Sequence, residues 1–112
     1  MRNIDNAQFG DILLADVIFS DHSGSKIRPV IFLYAMGEDI VALKMTSQGA
    51  YQDPFIMPIA PDKENNLKLT SYVKLKHLGS HFKNLFIRNL GSLSKEQKQK
   101  IRDTLSVFFA QL

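Results

Sequence analysis

Apolar and polar residues alternate in short runs along most of the chain and settle into a helical period only near its end. Residues 9–18 read as a first strand with a mostly apolar run. The Ser, Asp and Gly content of 19–27 predicts a loop, because these side chains compete with regular ladders. Arg28 and Pro29 then open a second strand over 30–34, where a first strand position tolerates a residue without an N–H. Gly37, Glu38 and Asp39 form a turn, and a third strand over 40–45 ends at Thr46, Ser47, Gln48 and Gly49. Residues 54–59 read as a fourth strand and 62–68 as a polar loop. The alternation of Tyr72 and Lys74 with Val73 and Leu75 predicts a strand over 71–75. Residues 78–84 read as a short turn and 85–90 as the last strand.

The strongest local signal comes last. Ser94 is a good helix cap and Gln97 stands three residues on, the spacing of a capping box. Ile101, Leu105, Phe108 and Leu112 then recur every three or four residues and mark one apolar stripe on a helix. With no helix between the strands, a parallel βαβ sheet is disfavoured. The pattern predicts a mainly β fold, a small antiparallel barrel or sandwich carrying a C-terminal helix.

Length and composition narrow the class. A chain of 112 residues, 45% of them hydrophobic, suits one domain over 1–112 with a packed core. Cys is absent, so neither disulfides nor thiolate metal sites hold it. The chain has no apolar run long enough for a membrane span and reads as a soluble, cytoplasmic protein. Charge is uneven. Residues 1–65 carry 5 Lys/Arg against 9 Asp/Glu, and 66–112 carry 9 against 2, so a net +3 hides a basic second part. Such a part attracts an anionic partner, although a solvated Lys-rich surface has the same composition.

Familiar catalytic signatures are missing. There is no glycine-rich phosphate loop. His22, His77 and His81 make no zinc set and read as loop or surface residues. What remains is a set of polar residues at strand ends: Ser25, Lys26 and Arg28 before the second strand, and Thr46, Ser47 and Gln48 after the third. A guanidinium fork matches a phosphate, and hydroxyls add directed bonds to its oxygens. An Arg in a surface ion pair and a Thr in a turn would leave the same trace in the sequence.

The chain resembles the MazF/PemK (Kid-like) toxin family. Gly10 to Leu14 look like its opening strand, and Gly24 to Val30 like its loop with an Arg-Pro signature. Met45 to Gln48 look like its third-strand ending, Ser71 to Leu75 like a later strand, and Ile87 to Ser94 like the approach to its last helix. The motifs follow in order over about residues 9–108. The resemblance implies an SH3-like barrel, a homodimer and cleavage of single-stranded RNA without a metal or cofactor. It also implies an acidic cognate antitoxin whose disordered tail folds on binding.

Carried over position by position, the catalytic pair is Arg28 and Thr46. Lys26, Ser47, Gln48, His22, Ser25 and Lys74 are the expected RNA contacts. Some relatives place an Arg and an acid where Lys74 and Lys76 stand here, so no acidic base carries over, and His22 is the substitute. Two other readings stay open at this stage: a CcdB-type toxin that binds gyrase instead of cutting RNA, and an inactive barrel that serves as a binding module.

Overall fold

The computed structural model describes residues 4–18, 25–48 and 53–112. Strands β1 (Asp11–Ile18), β2 (Ser25–Met36), β3 (Asp39–Thr46), β4 (Ile56–Ile59), β5 (Ser71–Phe82) and β6 (Phe86–Ser92) precede helix α1 (Lys95–Ala110). Short 3-10 turns, Ile4–Asn6 and Lys83–Leu85, flank the first and last strands. The six strands form one antiparallel sheet in the order β4-β5-β3-β2-β1-β6. The mainly β architecture with a terminal helix is as expected, but the sheet does not close into a barrel. β4 is only four residues long and contains Pro58, and the loop after it bonds to β6 in place of a strand. Ser92 N–H donates to Glu64 O at 3.0 Å, and the Asn66 amide donates to Leu90 O at 2.6 Å. Gly91 allows this approach, since a Cβ there would collide with the Glu64 carbonyl.

Both faces of the central strands are packed. Ile12, Ile31, Leu43, Met45, Val73 and Leu75 face one core, which Ile101 of α1 covers. Leu13, Ala15, Val30, Phe32, Ile40 and Ala42 face the other, with Phe86. Side chains on a strand alternate sides, so burial on both faces accounts for the unbroken apolar run at the start of β1.

Helix α1 starts as its sequence predicts. Ser94 Oγ accepts from Gln97 N at 3.1 Å, and Gln97 Oε1 accepts from Ser94 N at 2.9 Å. Ile101 is fully buried, and Phe108 meets Phe55 edge-on with centroids 5.8 Å apart. The expected stripe stops short: Leu112 lies past the helix and is 87% exposed.

Three local expectations are corrected. β2 begins at Ser25, inside the expected loop, because β1 extends far enough to pair Val17 with Lys26 and Ile18 with Ser25. Residues 19–24 lie outside the described residues. Pro29 is therefore within the strand. β5 continues to Phe82, through the expected turn. Its pairing with β3 jumps from Leu43–Leu78 to Lys44–Lys74, and this irregularity at residues 75–77 hides the strand period in the sequence.

His77 and His81 accordingly sit on a strand, not in a loop. Burial, with the charges of Lys74 and Lys44, lowers the pKa of His77 below its usual value. Burial alone lowers that of His81, which packs edge-on against Phe86.

Replacing Ile101 with Ala should cost about 2–5 kcal/mol, and Ser94→Ala about 1 kcal/mol, by urea unfolding. An Ile101→Ala variant as stable as the parent would mean that α1 does not cover the sheet. Because both histidines bind protons less well folded than unfolded, stability holds above their ordinary pKa of 6.5 and falls as the pH drops below it. A His77→Gln, His81→Gln double variant should lose less melting temperature than the parent between about pH 7.5 and pH 5.5.

Candidate functional site

The sheet opens between β2 and β3. Their ladder begins at the pair Val30–Lys44, so among the described strands residues 25–29 of β2 are flanked by β1 alone. Pro29 fits this stretch because the β3 side of it carries no ladder. Continuing the register two residues beyond Val30–Lys44 sets Arg28 opposite Thr46, and two more set Lys26 opposite Gln48. Lys26, Arg28 and Thr46 share the face of Val30 by strand alternation. They no longer pair and instead line a gap of about 190 Å³ with Ser47 and Ser71.

Each side of the gap is held in its own way. Arg28 is half-buried with its Nε shielded from solvent, and it pairs in register with Ala15 of β1. Thr46 is half-buried and remains paired with Tyr72 of β5. Its Oγ1 accepts from Gln48 N–H at 3.2 Å, a local turn that satisfies a backbone donor where β3 ends. The hydroxyl keeps its own proton to donate. Ser47, Gln48 and Lys26 are exposed.

The gap continues into a second recess of about 370 Å³, sharing Pro29, Ser47 and Ser71 with it. Leu14, Leu67, Leu69 and Leu90 form its walls, and Asn66, Lys68 and Arg88 its polar rim. Across both parts the described lining residues include four cations, Lys26, Arg28, Lys68 and Arg88, and among the described residues no carboxylate lines it. Such a groove favours an anion and can donate hydrogen bonds to phosphate oxygens.

Among the expected site residues, the structure brings together Lys26, Arg28, Thr46, Ser47 and Gln48. Lys74 is not in the groove: it pairs with Lys44 further along β5, and both act on His77. Lys76 is drawn elsewhere, with its ammonium 4.5 Å above the ring of Phe55. His22 and the side chain of Ser25 lie outside the described residues. The sequence reading missed Lys68, Ser71, Asn66 and Arg88. The positive excess of residues 66–112 was the available signal for Lys68 and Arg88, but it gives no position. Among the described residues no group of three or more His, Cys, Asp or Glu is placed to hold a metal ion.

Solved structures share this fold. A mycobacterial endoribonuclease in complex with its cognate antitoxin superposes with a TM-score of 0.72 at 17% identity, over 93% of this chain and 95% of that one. The Mycobacterium tuberculosis toxin MazF-mt6 gives 0.71 at 17% identity, over 89% and 96%. MazE–MazF from Deinococcus radiodurans gives 0.68 at 17% identity, over 92% and 94%. Among curated proteins none matches this sequence. These likenesses lend nothing to the gyrase-binding alternative. A sequence-family model spanning residues 8–109 does match, and the chain belongs to the family it describes, the PemK-like, MazF-like toxins of type II toxin–antitoxin systems.

Proposed function

We propose that this toxin is an endoribonuclease that cuts single-stranded RNA without a metal ion. The observation that carries the reading is the opened β2–β3 ladder, which leaves Arg28 and Thr46 facing one gap. The substrate's own 2′-hydroxyl is the nucleophile. Its oxygen bonds to the adjacent phosphorus as its proton passes to water at the open rim. The P–O5′ bond breaks, and the leaving oxygen takes up a proton from water. The ends are a 2′,3′-cyclic phosphate and a 5′-hydroxyl.

Because nucleophile and target sit on one substrate strand, positioning supplies much of the acceleration. Arg28, always charged, donates to the phosphate oxygens where negative charge grows and is not a base. Thr46 donates its hydroxyl proton to the scissile phosphate. Lys26 and Ser47 hold the phosphate further, and Gln48 and Ser25 contact the RNA beside it. Lys74, outside the groove, meets the RNA backbone beyond the cut. His22 is the side chain best suited by its ordinary pKa to assist removal of the 2′ proton.

The chain acts in the cytoplasm as a homodimer, and its cation-lined groove accepts the acidic tail of a cognate antitoxin. The mycobacterial and Deinococcus neighbours bound to their antitoxins support that pairing.

Purified protein should cut a mixed RNA in EDTA, leaving 5′-hydroxyl ends. Arg28→Ala should slow cleavage by roughly 10²–10³-fold, with its circular dichroism unchanged. Full activity in that variant, or intact RNA with the parent chain, would remove the proposal. Thr46→Val should also cut slowly, since the methyl that replaces the hydroxyl gives no hydrogen bond.

A further inference from the structure

We propose that the leucine-walled recess beside the Arg28–Thr46 gap is a nucleobase pocket in which Arg88 selects guanine. This rests on the RNA-cleaving reading of the adjoining gap. The two spaces share Pro29, Ser47 and Ser71, so a strand whose phosphate lies against Arg28 has a neighbouring base within reach of the recess.

The volume of about 370 Å³ lies near the lower end of small-ligand pockets, which run from about 300 to 1,000 Å³. It suits one flat ring, not a folded segment. Its walls are aliphatic, and Leu69 leaves 65% of its surface exposed there. A large aliphatic side chain left open on a concave wall is covered when a ring lies on it.

The polar group that reads the ring is Arg88. It is exposed, and among the described residues no acid lines the recess with it and it has no ion-pair partner. Its fork of donors matches the adjacent O6 and N7 acceptors of guanine. Adenine sets an amino donor against one arm of that fork, and on the corresponding edge cytosine presents an amino donor and uracil a single acceptor.

The backbone beneath Arg88 is fixed on both sides. The β1–β6 register shifts once between Ile12 and Leu13 and again between Leu14 and Ala15, with Leu14–Arg88 between the two shifts. Such bulges re-aim side chains and are found beside functional sites. The next residue, Asn89, is buried. It donates to Asp11 Oδ2 at 3.0 Å and accepts from Gly91 N at 3.1 Å. Asn66 holds the opposite rim by its bond to Leu90 O.

The test uses the full chain on a randomised RNA pool, with the cut sites sequenced. Wild type should show guanine enriched at one position beside the cut. In Arg88→Met the ratio of guanine to non-guanine cleavage there should fall roughly ten- to a hundredfold. A substrate with 7-deazaguanine at that position, lacking N7, should be cut more slowly than the guanine substrate by wild type and equally well by Arg88→Met. Thermal melting establishes that the variant is folded.

If Arg88→Met keeps the enrichment, or loses rate equally on every sequence as a phosphate contact would, the base pocket is wrong while RNA cleavage stands. If wild type cuts without guanine enrichment, the pocket is likewise wrong. If wild type cuts no RNA, the parent reading fails and takes this inference with it.

Discussion

The groove exists because one β-ladder stops. Had β2 and β3 stayed paired below Val30–Lys44, Arg28 and Thr46 would be two neighbours on a continuous sheet, with no space between them for a phosphate. Each strand instead keeps its other partner. Ala15 of β1 pairs with Arg28, and Tyr72 of β5 pairs with Thr46. The two edges are thus firm although they no longer touch. A site that must hold a charged substrate in one geometry benefits from this arrangement, since positioning on rigid strands costs no reorganisation at the moment of reaction.

Packing on both sheet faces explains where polar chemistry can gather. The centre of the sheet is committed to two cores, one under α1 and one beside the 3-10 turns. Cations placed there would lose their hydration without compensation. At the mouth where β2 and β3 part, side chains that continue the buried rows reach solvent, and Lys26, Arg28 and Thr46 occupy those positions. The loop after β4 completes the mouth from the far side. It is held by Asn65, fully buried, whose Oδ1 accepts from the N–H groups of Asp62 and Leu67 and whose amide donates to Ala60 O.

The electrostatic character of the groove follows from what is excluded from it. Four cations line it, and among the described residues no carboxylate does, so the described lining favours an anion. Lys74 and Lys76, which stand where some relatives of the MazF/PemK family carry an Arg and an acid, are both engaged elsewhere. The first is beside Lys44 and the second over Phe55. The chemistry proposed for this chain therefore leans on charge stabilisation by Arg28 more than on an acidic base from β5.

The sequence by itself determined the elements whose causes are local. Ser94 and Gln97 cap α1 through bonds three residues apart, Gly37 turns the β2–β3 hairpin with φ of 62°, and the apolar run of β1 marks a strand buried on both sides. The short motifs around Arg28 and Thr46 also carried the family resemblance. Tertiary structure alone decided what depends on pairing at a distance. The stop of the β2–β3 ladder, the jump in β5 at 75–77 and the bulges that aim Arg88 are matters of register, and register is set by partner strands far away in sequence. For the same reason the sequence does not tell that Lys74 lies outside the groove and Arg88 on its rim. Residue type and spacing along one strand say which side chains share a face, but the opening in the sheet is a property of its neighbours.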